Sequence, residues 1–449
     1  MFKKTIWQFL TALSGDDWGK EYRRITALKN KEQLKVFEEK KLKLLLWHAY
    51  QKTDYYKKIF DEIGLIENGK INLKKFKDIP ILTKEIVREK KEKLKRKDLD
   101  NFWSFENSSG GSTGEPLKIW QDKNYKKWSN AARLYYFDKL LGIDEETVKK
   151  VLLWGSERDL LKGSIGFKKK AINYLLNTTI LNTFKVSPEN MKEYVEFINK
   201  TKPDFIRGYA GSLYEIADFA QKNNLEIHTP KTLVSAAETL KDFMREKIEK
   251  IFGTKVYNFY GSREVGAIAG ECKDGLMHSF SFNNKLEIID KNGEEAHEGE
   301  EGDIIITNLH NYAMPLIRYQ IEDLGIASGD NCSCDSFLPT FAKVIGRSSE
   351  NLFRRDGTMV SGSAMTLTFN NRAWVKNFQI IQKDYNLVEI LVALRGKVDK
   401  KDIKFIEDKT HLLLGDDCKI KWTFVADIPK TKTGKYIYIK NEIKNQNEK

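Results

Sequence analysis

The chain has few cysteines and no apolar segment of membrane-spanning length. Only four of its 449 residues are cysteine, so we expect a reducing compartment, the cytoplasm, and no disulfide framework. No stretch approaches the roughly 18 uninterrupted apolar residues of a membrane helix. Residues 2–13 run into Asp16 without a small-residue cleavage site, so no signal peptide is expected. Their apolar positions have helical spacing and predict an amphipathic first helix packed on the body of the protein: Ile6, Phe9, Leu10 and Leu13.

The chain is basic, but its charge is dispersed. The formal net charge is +13 and the pI is near 9.1, which would fit a nucleic-acid-binding protein. The excess is mostly lysine interleaved with glutamate, and none of the familiar nucleic-acid-binding modules is visible. The densest run, residues 84–97, mixes both signs and predicts a helix with a solvated face. We therefore expect no nucleic-acid partner.

The length and a hydrophobic content of 41% predict at least two domains. Residues 1–100 have the pattern of a charged, helical entry segment with a break at residues 78–80, after which Thr83 caps a new helix. From Trp103 onward, short β-rich runs alternate with capped helices, as in the strand-like run 205–209 before the capping box Ser212-x-x-Glu215. Such βαβ alternation predicts a layered α/β domain.

The pattern becomes β-rich after Phe280. An Asn292-Gly293 turn between residues 285–290 and 303–307 predicts a hairpin. The last hundred residues have the pattern of three strands and one helix, at 378–382, 387–394, 419–424 and 402–414. The predicted fold class is α/β: a large layered N-terminal domain with a β-rich subdomain over 1–345, and a small α+β C-terminal domain over 346–449.

A loop between residues 108 and 117 combines three glycines and four hydroxyls ahead of Pro116. Glycines let backbone N–H groups converge on an anion and hydroxyls add donors, so the composition predicts a phosphate cradle; a flexible linker is the alternative. No Gly-Lys-Ser/Thr follows at Walker spacing, and no strand leads into a Gly-x-Gly-x-x-Gly helix. The candidate nucleotide-binding residues here are Ser109, Gly110, Gly111, Ser112, Thr113 and Gly114.

The loop resembles the Ser/Thr-Gly-Ser/Thr-Thr-Gly-x-Pro motif of the adenylate-forming enzymes, which activate carboxylates with ATP. Further segments resemble motifs of that family in the same order: Ala236-Ala237-Glu238, Tyr260-Gly261-Ser262-Arg263-Glu264, Gly302-Asp303 with Pro315–Gly325, Gly346-Arg347 and Pro429–Lys435. Residues 48–84 and Arg207-Gly208-Tyr209 resemble the branch of phenylacetate-CoA ligases and relatives encoded with capsular-polysaccharide enzymes. The chain departs from the usual motifs at Arg263, at Ser349 and around Pro116.

The resemblance implies a role for each matched residue. Tyr260 would contact adenine, which Ala237 and Glu238 would flank, and Ser262 would approach the phosphate. Asp323 would accept from the ribose hydroxyls near Arg347, and Gly261 is a further candidate nucleotide-binding residue. Glu264 would hold Mg²⁺, an ion that prefers oxygen ligands. Lys435 would meet the substrate carboxylate and the α-phosphate, which makes Lys435 and Glu264 the candidate catalytic residues.

The resemblance further implies an AMP-forming ligase that uses ATP and Mg²⁺, releases pyrophosphate and passes the acyl group to coenzyme A. The small domain would rotate between the two half-reactions. Three alternatives remain open: another acceptor in surface-polysaccharide biosynthesis, such as an amine or a carrier-protein thiol; simple nucleotidyl transfer; and a catalytically silent nucleotide-binding scaffold. The identity of the carboxylate and the oligomeric state also remain open. Candidate pocket residues are Trp154, Gly155, Ser156, Arg207 and Tyr209.

One more cluster suits a metal. Cys272, His278, Cys332 and Cys334 supply three thiols and an imidazole, a set that favours tetrahedral Zn²⁺. Buried free cysteines are the alternative. Four protein ligands leave no open coordination position, so the predicted zinc is a structural clamp.

Overall fold

The computed structural model describes most of the chain. The described residues are 6, 17–108, 117–154, 167–183, 188–329, 332–347, 352–355, 359–360, 365–366, 368–369, 372–429 and 436–443. Within these ranges, no helix is long and apolar enough to cross a membrane. Several predicted features lie outside them: the first helix apart from Ile6, the loop residues Ser109, Gly110, Gly111, Ser112, Thr113 and Gly114, Gly155, Ser156 and Lys435.

The entry segment is helical, as predicted, with one short hairpin. Its elements are α1 Gly19–Thr26, α2 Lys31–Lys52, α3 Asp54–Glu62, β1 Ile66–Glu67, β2 Lys70–Ile71, α4 Lys84–Glu89 and α5 Lys91–Leu94, with 3₁₀ turns at Leu73–Asp78 and Leu99–Asn101. The predicted Thr83 cap is confirmed, because Thr83 Oγ1 accepts from the Ile86 N–H at 3.3 Å.

The predicted solvated face of residues 84–97 is confirmed for much of the run, since residues 85, 88–90, 92 and 93 are exposed, but the prediction of a single helix is wrong. The helix breaks at Lys90, and α5 ends at Leu94. The Lys84 side chain is buried, and its Nζ donates to Glu322 Oε2. Leu82 forms a parallel bridge with Tyr319, which brings Lys84 against the β-rich region. The first residue of the run therefore packs on the protein.

An alternating segment follows and builds the parallel half of a large sheet. Its elements are β3 Ser104–Ser108, β4 Lys118–Asp122, α6 Lys123–Tyr135 with a π turn at Tyr136–Leu140, β5 Lys150–Leu153, α7 Phe167–Leu175, β6 Thr178–Leu181, α8 Pro188–Thr201, β7 Phe205–Gly208, α9 Ala210–Lys222, β8 Thr232–Ala236, α10 Asp242–Phe252 and β9 Val256–Ser262. Strands β3 and β4 form a separate hairpin, whereas β5 to β9 pair in parallel. The predicted βαβ alternation is confirmed.

The predicted capping box at Ser212 and Glu215 is wrong. Helix α9 begins at Ala210, directly after β7, so both residues already lie inside the helix. Ser212 Oγ donates to Thr183 Oγ1 at 2.8 Å, and Glu215 Oε1 accepts from the Tyr436 hydroxyl at 2.8 Å. Both side chains therefore make long-range contacts in place of a cap.

Antiparallel strands extend the same sheet. They are β10 Gly266–Glu271, β11 Met277–Ser279, β12 Asn284–Ile289, β13 Glu301–Asn308, β14 Tyr319–Ala327 and β15 Thr340–Arg347. The sheet order is β12-β13-β14-β15-β11-β10-β9-β8-β7-β5-β6, and β12 and β13 form the predicted hairpin. Strand β9 is thus the junction between the parallel and antiparallel halves.

The C-terminal elements form their own sheet and core, in an α+β pattern that agrees with the prediction. They are β16 Leu352–Phe353, β17 Met359–Val360, β18 Val375–Asp384, β19 Leu387–Leu394, α11 Lys400–Leu414, β20 Lys419–Val425 and β21 Ile439–Asn441. The sheet order is β20-β19-β18-β21. Its core packs around buried residues such as Ile380, Ile390 and Ile406.

Candidate active site

A tight turn joins β9 to β10 and carries the tyrosine motif. A Cβ atom on Gly261 would lie 2.7 Å from the Gly266 carbonyl oxygen, so this position requires glycine. Ser262 Oγ accepts from the backbone N–H groups of Glu264 and Val265, each at 3.2 Å. These bonds fix the buried Glu264 at the end of the junction strand, where α/β folds commonly bind ligands.

Three polar side chains support this turn, and the sequence did not single them out. The Arg263 carbonyl accepts from Gln121 Nε2 at 2.7 Å, from the Tyr125 hydroxyl at 2.9 Å and from Asn107 Nδ2 at 3.3 Å. Asn107 and Gln121 belong to β3 and β4, which pair across the glycine-rich segment through Ser108 and Lys118. The two strands that flank that segment therefore lie against the tyrosine motif.

A hydrogen bond joins the tyrosine motif to the predicted ribose-binding residue. The Tyr260 hydroxyl donates to Asp323 Oδ2 at 2.7 Å. Asp323 lies on β14, and its register partner on β15 is Arg347. Tyr260 thus contacts Asp323, which lies beside Arg347, although β10 and β11 separate β9 from β15 in the sheet. All three residues were predicted to bind the adenosine part of a nucleotide.

The residue before Asp323 has an unusual backbone conformation. Glu322 has φ = 67°, a left-handed value that is uncommon for a residue with a side chain. Its carboxylate accepts from the buried Lys84 Nζ. Such strain persists where the surroundings hold it, often at binding sites, so the ion pair fixes the backbone on which Asp323 is carried.

Replacement of Lys84 by methionine is expected to destabilise the protein by about 1–3 kcal/mol, because a largely buried carboxylate loses its cation. Denaturant unfolding measures the change, with the exposed Lys93→Met as the matched control. Equal stability of the two variants would contradict a structural role for the pair.

The predicted adenine-flanking segment turns back toward helix α9. Ala237 has φ = 65°, which reverses the chain after β8. Glu238 Oε2 then accepts from the Gly211 backbone N–H at 2.8 Å, in the first turn of α9. Glu238 thus satisfies one of the N–H groups that every helix leaves open at its start.

The candidate pocket residues divide into two groups. The rings of Trp154 and Tyr209 stack with centroids 4.3 Å apart. Arg207 instead donates to the buried Glu145, beside Lys150. Burial and nearby guanidinium groups lower the pKa of Lys150 to about 7. Arg207 therefore belongs to a buried charge cluster.

The four predicted zinc ligands converge. Their donor atoms all lie within 4.8 Å of one another; the Cys272–Cys332 Sγ distance is 3.6 Å, and Cys334 Sγ lies 3.2 Å from both Cys332 Sγ and His278 Nε2. Zn–S bonds of about 2.3 Å place two sulfurs on one tetrahedral ion about 3.8 Å apart. His278 Nδ1 lies 3.1 Å from the Leu338 carbonyl oxygen, which favours the tautomer that leaves Nε2 free to bind metal. The donor set fits zinc.

The chain is similar to known proteins along most of its length. The family model described as the CapK C-terminal domain matches residues 352–442. The chain is 26% identical over 440 residues to Protein CapK of Staphylococcus aureus, covering 94% of this chain and 92% of that protein. It is 23% identical over 399 residues to the phenylacetate-coenzyme A ligase of Thermus thermophilus, covering 83% and 81%.

The fold matches solved ligase structures. A crystal structure of 2-hydroxyisobutyryl-CoA ligase in the postadenylation state, in complex with R3-HIB-AMP, aligns with a TM-score of 0.68 at 17% identity, covering 90% of this chain and 88% of that chain. Protein CapK and the phenylacetate-coenzyme A ligase match 94% and 83% of this chain, and the second bears the name of the branch that the motifs resemble. Over most of its length the chain is therefore similar to Protein CapK and to a phenylacetate-CoA ligase, and it has the fold of a solved acyl-CoA ligase.

Proposed function

We propose that the protein activates a carboxylic acid with ATP, forming an acyl-adenylate and pyrophosphate, and then transfers the acyl group to coenzyme A. The observation that carries this proposal is the Tyr260–Asp323 hydrogen bond opposite Arg347, beside the Glu264 turn. A carboxylate at Asp323 can accept from both vicinal ribose hydroxyls. An aromatic ring at Tyr260 offers adenine a flat apolar surface.

In the proposed first step, the substrate carboxylate attacks the α-phosphorus and pyrophosphate leaves. The protein contributes alignment and charge stabilisation, so no covalent enzyme intermediate is needed. Glu264 would hold Mg²⁺, since one carboxylate together with substrate phosphates is a usual ligand set for this ion. When bound, Mg²⁺ neutralises phosphate charge. The buried position of Glu264 at the end of β9 supports this assignment.

Zn²⁺ at Cys272, His278, Cys332 and Cys334 is proposed as a structural clamp. Cys272 follows β10, His278 lies on β11, and the other two precede β15. The clamp would tie the strand after the tyrosine motif to the strand that carries Arg347, with no role in the reaction.

Replacement of Asp323 by alanine is expected to weaken ATP and AMP binding by about 1.5–3 kcal/mol, because the ribose hydroxyls lose a charged acceptor. Titration calorimetry in the presence of Mg²⁺ measures the affinity. Asp100→Ala, at an exposed position of the entry segment, is the matched control. Unchanged nucleotide affinity in a folded Asp323→Ala protein would remove the ribose assignment.

The reaction is tested by carboxylate-dependent exchange of pyrophosphate into ATP over a panel of aromatic, aliphatic and hydroxylated acids. Exchange that depends on an acid supports the proposal. Binding of ATP with no exchange for any acid would favour a silent nucleotide-binding scaffold.

The acceptor has a second candidate, because the match to Protein CapK covers more of the chain at higher identity than the match to the CoA ligase. On this alternative, the acyl group passes to an amine, a carrier-protein thiol or another acceptor in surface-polysaccharide biosynthesis. Mass spectrometry of products formed from the acyl-adenylate with coenzyme A, or with amino sugars, distinguishes the two.

A further inference from the structure

Helix α9 of the large sheet region makes two polar contacts with the C-terminal region. Glu215 Oε1 accepts from the Tyr436 hydroxyl at 2.8 Å. One turn later, Asp218 Oδ2 accepts from Arg395 at 2.7 Å. Residues three apart on a helix share a face, so the two acidic side chains form one docking surface, defined here as Glu215 and Asp218.

Asp218 is built to remain a carboxylate. Its side chain is 8% exposed, and it also accepts from Lys247 at 2.8 Å and from Lys222. Burial would raise the pKa of Asp218, but hydrogen bonds from Arg395 and Lys247 outweigh it and hold the pKa below its usual value. Lys222 and Lys247 both lie in the large region and donate to Asp218. Removal of Arg395 therefore does not leave the buried carboxylate without a partner.

Tyr436 is tied firmly to the C-terminal sheet. The Ile380 N–H donates to the Tyr438 carbonyl at 2.8 Å, and Gln379 Nε2 donates to the Ile437 carbonyl at 2.7 Å. The Tyr438 side chain packs against both the C-terminal core and the core around α9. A rotation of the C-terminal sheet away from α9 therefore breaks the Tyr436 and Arg395 contacts together.

The docking surface lies beside the candidate nucleotide site. A Cβ atom on Gly211 would lie 3.5 Å from Tyr436 Cδ2 and 3.2 Å from Glu238 Oε2. Tyr436 thus contacts the same first turn of α9 that Glu238 caps. In the sequence, Tyr436 directly follows Lys435, the proposed catalytic lysine.

We propose that Glu215 and Asp218 dock the C-terminal region in the orientation that forms the acyl-adenylate, with Tyr436 and Arg395 as the positioning residues. The inference rests on the proposed adenylation. The second half-reaction, which needs access for the acceptor, proceeds after these contacts break. The two contacts therefore set the balance between the orientations without touching substrate.

The test uses Tyr436→Phe, Arg395→Gln and the double variant in the full-length protein. Each single change removes one hydrogen bond to a carboxylate, so pyrophosphate exchange should fall about tenfold, and further in the double variant. Acyl transfer from synthetic acyl-adenylate should stay within about twofold of wild type. Arg395→Lys, which keeps the charge, should restore part of the exchange rate. The matched controls Tyr385→Phe and Glu246→Gln should leave both steps unchanged.

A second readout does not depend on activity. Unnatural amino acids that carry spin labels can replace the exposed Lys192 and Lys404. The distance between the two labels reports the separation of α8 and α11. The double variant should shift this distribution away from that of the wild type. An unchanged distribution and exchange rate, or equal slowing of both half-reactions, would overturn the docking role. Absence of exchange in the wild type would instead overturn the proposed function, and the distance measurement would still decide the docking.

Discussion

Replacement of Lys435 by alanine is expected to slow acyl-adenylate formation by about 10² to 10³. Negative charge gathers on the carboxylate and the α-phosphate as they approach, and loss of one donor to such charge costs rates of this order. ATP affinity should change little, because the ammonium acts mainly as the transition state forms. Single-turnover formation of acyl-adenylate, measured by rapid quench, gives the rate.

The second half-reaction separates a chemical role of Lys435 from a structural one. Started from synthetic acyl-adenylate plus acceptor, it should survive in Lys435→Ala, because the proposed rotation of the C-terminal domain would withdraw the lysine. Lys432→Ala, in the same motif, controls for a general effect of charge near the site. If Lys435→Ala slowed both steps equally, or neither, the two-orientation mechanism would be wrong for this protein.

Local signals gave the order of the strands and helices well. Strand β7 spans residues 205–208 of the predicted 205–209, and β19 spans the predicted 387–394. Gly253, which ends α10, has φ = 68°, as expected of a left-handed helix stop. Hydrophobic periodicity and turn residues carry this information because they depend on neighbours in sequence.

Side-chain partners that come from distant parts of the chain were not predictable in the same way. Ser212 and Glu215 have the spacing of a capping box, yet the fold brings Thr183 and Tyr436 to them. Lys84 lies in a run that has the pattern of solvated surface, and tertiary packing buries it on Glu322. Local structural preference contributes little free energy, so it does not decide the conformation where a long-range contact satisfies the same polar atom.

The candidate site shows the same division. Family motifs predicted roles for Tyr260, Asp323 and the residues around Gly346 one by one, and a hydrogen bond and the β14–β15 register bring them together. Gln121 and Asn107, which hold the Arg263 carbonyl, carry no motif of their own. The available signal was that Asn107 and Gln121 are polar residues near a glycine-rich loop. Such residues are too common for this signal to have singled out these two.

Loss of zinc should have the largest effect on stability. We expect about one Zn²⁺ per chain in purified protein, because three thiols and an imidazole converge within tetrahedral reach. Metal that binds only the folded state at about 1,000 times its dissociation constant contributes about 4 kcal/mol. At about 2–4 °C per kcal/mol, removal should lower the melting temperature by roughly 10 °C.

Cys332→Ser tests this expectation with a control inside the same chain. The variant should lose zinc, measured by elemental analysis, and melt at the lower temperature with or without a chelator. Cys418→Ser, at a buried cysteine of the C-terminal core, should keep its zinc. Because bound metal is the expected source of the difference in stability between the two proteins, a chelator should lower the melting temperature of the wild type to that of Cys332→Ser. Metal-free wild-type protein with an undiminished melting temperature would show that the four side chains pack as free thiols and imidazole, and the clamp between β10 and β15 would be wrong.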